Sequence, residues 1–376
     1  FIFFIPYTAS GFAACGKLFS SLFGVNYLTA MIISAIVIVA YTTLGGFLAA
    51  STTDFIQSII MSVALIVVLI FGVETAGGIG AVIHNASELP GYLSMTLSYD
   101  VNTGKAAPYS ALTIVSTAAW GLGYFGMPHI LLRFMAIEDE KKLKLSRRVA
   151  TIWVVISLFV AVFIGVIGYT MSKVGALEML TGSNSETIIV KISALLSQHG
   201  VIFALLAGVI LAGILASTMS TSDSQLLAAS SAVSSDILGA FRKDSSNKNG
   251  SMAAARITLL VISVVAAFIA RNPDSSVFAI VSFAWAGFGA AFGPVVLFSL
   301  FWKRTNKWGA LAGVVCGGSM VFIWKYLIRP LGGIWNIYEL LPAFLIACAA
   351  IVIVSLLTPK PSKEIEEEFD RVAQMK

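Results

Sequence analysis

Uninterrupted apolar runs dominate this sequence, and they settle the medium in which it folds. About ten runs reach the roughly twenty residues that an α-helix needs to cross hydrocarbon. They lie at residues 1–21, 27–48, 53–74, 109–127, 147–172, 199–222, 253–271, 276–301, 308–328 and 338–358. Apolar residues make up 58% of the chain and charged residues 11%, with a mean hydropathy of +0.91. A soluble domain carries about 25% charged residues. A chain with so little charge cannot enclose its apolar surface in a core facing water, so an all-α integral membrane protein is expected. A β-barrel is excluded, because the runs are continuous rather than alternating.

Several function classes lose their support at once. There is no nucleotide-binding P-loop, no HExxH and no CxxC, so neither an ATP-driven pump nor an enzyme is expected. Cys15, Cys316 and Cys348 fall inside apolar runs and read as packing residues, not as a disulfide or metal framework. Positive charge sorts to one side. Residues 133–148 carry six basic and three acidic side chains, and Arg242, Lys243, Lys248, Lys303, Arg304 and Lys307 sit in alternate connections. The positive-inside rule makes these connections cytoplasmic. A transmembrane domain over residues 1–358 and a solvated cytoplasmic tail over 359–376 follow. The basic loops account for the pI near 9.0, so no nucleic-acid partner is expected; membrane lipid is. The chain opens on "FIFFIPY", already inside an apolar run. That run lacks the basic flank of a signal peptide and is interrupted by Pro6 and Tyr7, so it reads as the interior of a longer protein.

Two stretches carry chemistry. In "LASTMSTSDSQLLAASSAVSSD" (215–236), Ser217, Ser220, Thr221 and Ser224 recur at i, i+3, i+4 and i+7, one stripe of a helix. Hydroxyl and carbonyl oxygens suit a hard cation, and a site without a central carboxylate suits Na+ better than Ca2+. Packing explains the same stripe, since small residues let helices approach and Ser/Thr bond back to their own carbonyls. The second stretch is "AAWGLGYFGMPHILLRF" (118–134). Gly121, Gly123, Gly126 and Pro128 within eight residues predict a broken helix, tolerated in a membrane where freed backbone lines a cavity or meets a neighbour. An unbroken helix would set Trp120, Tyr124 and Pro128 on one face, as a cavity wall or as an aromatic packing face. Asp54, at the start of its run, reads as a dipole partner or as part of a cation path. Tyr7 reads as core or interface, and Lys17 as snorkelling to the membrane surface.

Together with "AYTTLGGFLAASTTDFIQ" and "SFAWAGFGAAFGPVVLFSLFW", these stretches resemble the sodium/solute symporter family, and its bacterial sodium/proline branch in particular. The resemblance implies a leucine-transporter-like bundle of two inverted five-helix repeats, with the family's first three helices preceding this chain. It implies a multi-pass protein of the bacterial inner membrane that couples Na+ to uptake of L-proline or a similar small solute, with no obligate protein partner. Carried over by position, Ser217 (through its carbonyl), Ser220 and Thr221 are Na+ ligands. Tyr7, Trp120, Tyr124 and Pro128 belong to the proline pocket, and Asp54 to the Na+ path. The sequence departs from the branch at Met127, where Gln is usual, and at Thr52, where Trp is common. Another small solute, or a sensor built on a transporter fold, are the competing readings.

Overall fold

The structure, a computed structural model, describes residues 1–237 and 248–374. Arg242 and Lys243, two cations of the expected cytoplasmic connections, lie outside the described residues. Thirteen α-helices follow one another among the described residues: α1 Phe4–Phe23, α2 Tyr27–Thr75, α3 Ile79–Ser87, α4 Ala111–Ala118, α5 Pro128–Met135, α6 Leu143–Lys173, α7 Ile188–Ser197, α8 Val201–Ser231, α9 Lys248–Ile269, α10 Val277–Phe301, α11 Lys307–Ile323, α12 Leu340–Leu357 and α13 Lys363–Gln374. A two-stranded antiparallel hairpin, β1 Leu97–Asp100 with β2 Lys105–Pro108, sits in the connection before α4.

Among the described residues, seven helical segments are long and apolar enough to cross a membrane: Tyr27–Leu44, Ala50–Thr75, Glu140–Lys173, Val201–Ser234, Val277–Phe301, Lys307–Leu331 and Leu340–Leu357. The other three expected runs differ for identifiable reasons. The first is α1, an interior helix with Ala9, Phe12 and Ala13 fully buried. The run at 109–127 is broken, and the run at 253–271 forms a shorter apolar helix, Ala253–Ile269. Large apolar side chains such as Ile36, Ile66, Ile70, Phe159 and Val162 stand exposed on the helices, the surface that lipid covers.

The runs at 27–48 and 53–74 share one helical assignment, α2. Its axis nevertheless turns. A straight helix would separate residues 41 and 53 by about 18 Å, yet the Tyr41 hydroxyl and Thr53 Oγ1 are hydrogen-bonded. The Gly45–Gly46 pair lies between them, where a bend costs least.

The chain divides into two compact units, residues 1–108 with 137–280, and residues 109–136 with 281–376. In the first, α8 packs on the second half of α2. A Cβ built on Gly213 would stand 2.8 Å from Ala64 Cβ, so the contact requires glycine. The surrounding core joins Ala64 and Val68 to Ile210 and Ala207, and to Ile164, Ile167, Met171, Ile192 and Leu196.

In the second unit, α11 presents Gly309, Gly313 and Gly317 at four-residue spacing. Cβ atoms there would meet Ser355 Oγ at 1.9 Å, Ile351 Cγ1 at 2.5 Å and the Ala290 carbonyl at 2.2 Å. That carbonyl lies four residues before Pro294, which has no N–H to offer it. Asn306 starts α11: its Oδ1 accepts from Gly309 N, and its Nδ2 donates to Thr358 Oγ1 and Pro359 O, both at 2.8 Å. The tail is helical over α13 and is tied back by a 2.5 Å Lys303–Asp370 ion pair.

Candidate functional site

Two hydroxyls of the stripe converge on one backbone oxygen. Ser220 Oγ and Thr221 Oγ1 each donate to Ser217 O at 3.1 Å, and Ser224 Oγ donates to Ser220 O at 2.9 Å. This is the back-bonding that a packing role also uses. Its consequence is chemical as well: three oxygens are gathered about one point on α8, and the two hydroxyls, which donate here, keep their own lone pairs for a cation. Hydroxyl and carbonyl oxygens are the donors a small hard cation takes. Asp54 lies on α2 in the same unit and is partly buried.

Tyr7 is buried on α1, in the same unit. A Cβ on Gly11 would come within 2.2 Å of Ser222 Oγ, and Cys15 bonds to Thr218, so α1 and α8 are antiparallel and close. One turn further along, this register brings Thr8 opposite Gln225. Both are fully buried. Thr8 Oγ1 and both polar atoms of the Gln225 amide have no hydrogen-bond partner among the described residues. Sequence reasoning missed this pair, although a Gln within an apolar helix is itself a signal.

The second stretch breaks as its glycines and Pro128 predict, but in a way that rearranges its aromatic residues. α4 ends at Ala118, a 3-10 helix runs over Ala119–Gly126, Met127 is extended, and α5 begins with Pro128 at its first turn. A 3-10 helix has three residues per turn. Residues four apart therefore no longer share a face, and the single face that an unbroken helix would give Trp120, Tyr124 and Pro128 does not form. Trp120 and Tyr124 meet instead through Trp285 of α10. Trp120 stacks on it at 5.2 Å and 16°, and Tyr124 meets it edge-on at 4.8 Å and 84°. Trp285 Nε1 donates to Trp120 O at 3.0 Å, holding backbone that the 3-10 geometry leaves short of partners. Tyr124 is 44% exposed and offers its ring outward, whereas Met127 is fully buried.

Two residues of this platform were not found from sequence. Trp285 lies among Gly and Ala in "AWAGFGAA", a pattern of close helix approach. Tyr338 stacks on Trp120 at 6.2 Å and 16°, and nothing in its sequence surroundings marks it.

Lys17 also departs from expectation. It does not snorkel: its Nζ pairs with Glu186 at 2.8 Å, with the lysine side chain only 12% exposed. Glu186 in turn accepts from Ser276 Oγ and from the N–H groups of Val277 and Phe278, capping α10.

These features define an integral membrane protein with a hydroxyl–carbonyl oxygen cluster on one helix and an aromatic platform on a broken one, the makings of a secondary transporter. The chain belongs to the sodium:solute symporter family, whose description it matches over residues 1–317. It is 38% identical to the osmoregulated proline transporter OpuE of Bacillus subtilis, over 96% of this chain and 70% of the relative. It is 37% identical to sodium/proline symporter 2 of Staphylococcus saprophyticus, over 100% and 71%, and 38% identical to the sodium/proline symporter of Salmonella typhimurium, over 98% and 70%. Its fold is that of a Na+-coupled sialic acid symporter solved in a substrate-bound outward-open state: the TM-score is 0.72 at 17% identity, over 96% of this chain and 74% of that one.

Proposed function

We propose that this protein is a secondary active transporter of the cell membrane that takes up L-proline together with Na+ by alternating access. The observation that carries the reading is the likeness to proline transporters across nearly the whole chain, joined to an aromatic platform of suitable chemistry. Ser217 O, Ser220 Oγ and Thr221 Oγ1 supply oxygens to Na+, and Asp54 lies on its path. Tyr7, Trp120, Tyr124 and Pro128 contribute to the substrate site. Between Trp120 and Pro128 there is no charged side chain. A zwitterion meeting that segment finds apolar ring surface and backbone groups, with cation–π contact available to its ammonium. A compact cyclic amino acid fits this chemistry, and a long cationic one does not. Residues 1–358 form the transporting domain, and 359–376 its tail. Coupling follows when proline and Na+ bind one state more tightly than the other.

Uptake of radiolabelled proline by cells expressing the intact protein, with and without Na+, tests the reading. Na+-dependent accumulation that unlabelled lysine fails to compete is the expected result. Losing a ring contact costs on the order of 1–2 kcal/mol, roughly ten- to thirtyfold in affinity. Trp120→Ala and Tyr124→Ala should each raise the proline KM by about that factor. Wild-type KM in both variants, or better competition by a sugar than by proline, overturns the proline assignment.

A further inference from the structure

The 3-10 segment that carries Trp120 is intrinsically pliable. Three of its eight residues are glycine, and its backbone lacks the i→i−4 ladder of an α-helix. The position of the indole is therefore decided by what packs on it. Trp285 is one neighbour. Another is Tyr338, in the connection between α11 and α12, helices that the family resemblance places outside the ten-helix core.

Tyr338 touches three separate parts of its unit. Its ring stacks on Trp120. Its backbone N–H donates to Ser116 Oγ on α4 at 3.1 Å. Its hydroxyl donates to Ser282 O on α10 at 2.6 Å. The next residue explains why the connection stays put. Glu339 is 1% exposed, and its two oxygens meet Arg329 Nη1 at 2.8 Å and Lys325 Nζ at 3.6 Å. Arg329 Nε also donates to Asn336 Oδ1 at 3.1 Å. Lys325 lies over the Phe283 ring, 4.2 Å from its centroid. A carboxylate this buried persists because two cations satisfy it, and removing either partner leaves an uncompensated charge. The cluster clamps residues 325–339 onto α10, and Tyr338 carries that rigidity to Trp120.

We propose that Tyr338, held by the buried Glu339–Arg329–Lys325 cluster, is a positioning residue for the substrate site: it braces the Trp120 ring, so that the α11–α12 pair sets substrate affinity without touching the substrate. This rests on the reading that Trp120 forms part of the substrate wall. Tyr338 acts through Trp120, so its loss weakens substrate binding while leaving the cation cluster on α8 intact. An aromatic pair is worth about two- to tenfold in an equilibrium constant, and that sets the expected effect.

The test is proline uptake by the intact protein in cells, with membrane amounts matched by immunoblot, for Tyr338→Ala, Tyr338→Phe, Trp120→Ala and the Trp120→Ala/Tyr338→Ala double variant. Tyr338→Ala should raise the proline KM about two- to tenfold, with maximal rate per molecule and the Na+ concentration for half-maximal uptake close to wild type. Tyr338→Phe keeps the stack and should restore most of the affinity. The double variant should match Trp120→Ala alone, because the tyrosine has nothing left to brace. Wild-type KM in Tyr338→Ala overturns the proposal, as do additive effects in the double variant. If Tyr338→Ala does not reach the membrane, Tyr338→Leu, which retains bulk without the aromatic face, replaces it under the same criteria. If Trp120→Ala itself leaves KM unchanged, the substrate-wall reading fails and this inference fails with it, an outcome distinct from failure at Tyr338 alone.

Discussion

The indole N–H of Trp285 donates to the backbone carbonyl of Trp120 across 165 positions of sequence, at 3.0 Å, while the two rings stack 5.2 Å apart. One side chain thus bonds the backbone of the broken segment and packs on its ring. Gly123 makes this possible. A Cβ there would stand 1.9 Å from Trp285 Nε1, whereas a Cβ on Gly121 would meet nothing within 4 Å. Gly123→Ala must displace Trp285, an overpacking worth about 1–3 kcal/mol. The proline KM should rise roughly tenfold or more, and Gly121→Ala should stay near wild type. Equal KM values for the two alanine variants in uptake assays would show that the indole is not fixed by this contact.

The oxygen cluster on α8 makes a separate prediction. Thr221→Ala removes one of three gathered oxygens, and bonds to a charged partner are worth about 1.5–3 kcal/mol each. The Na+ concentration for half-maximal uptake should rise about tenfold or more. Ser231→Ala, at an exposed position on the same helix, should change it little. Small and equal shifts at both positions would assign the stripe to helix packing.

Gln225 separates stability from function. Its amide is fully buried without a partner among the described residues, and an unsatisfied buried polar group costs about 1–3 kcal/mol. Gln225→Leu keeps the approximate volume and removes that cost. The thermal midpoint of the purified protein should hold or rise, while proline uptake falls. A clear drop in midpoint would mean that the amide is bonded within the folded protein.

Acid should loosen the clasp at Glu186. Partial burial pushes its pKa up, but bonds from Lys17, Ser276, Val277 and Phe278 outweigh that, and the net shift is below the ordinary glutamate value. A carboxyl whose folded pKa is lowered adds stability above its unfolded pKa, roughly 4.3, and loses it as pH falls through the folded value. The thermal midpoint should therefore fall more steeply below about pH 4.3 in the wild type than in Glu186→Gln, which starts lower at pH 7. Parallel curves from differential scanning fluorimetry would exclude a contribution from this carboxylate.

Asn306 joins the start of α11 to the end of α12. Asn306→Ala removes the cap to Gly309 N and strands the partners at Thr358 and Pro359. Caps and buried hydrogen bonds together are worth about 1–3 kcal/mol. A lowered midpoint is expected, with Asn306→Asp recovering part of the loss through the cap alone. An unchanged midpoint in the alanine variant would refute the role.

Continuous apolar runs, the sorting of charge and the 3.6-residue period were enough to read a helical membrane protein, the hydroxyl stripe from Ser217 to Ser224, and the break before Pro128. These are local properties: hydrocarbon length fixes the runs, helix geometry fixes the stripe, and Pro and Gly weaken any helix they enter. What the break does to its aromatic residues was decided only in three dimensions. Trp120 and Tyr124 share a face in an α-helix but not in a 3-10 helix, and the choice between the two depends on Trp285 and on the glycine contacts around it. The same holds for Lys17, which finds Glu186 169 positions away instead of water, and for the α2 axis, which turns so that Tyr41 reaches Thr53. Tyr338 and Glu339 lie furthest from what sequence could reveal. Their importance comes from a buried ion cluster and a ring stack assembled from distant segments, and no local pattern encodes a contact whose partner is chosen by the fold.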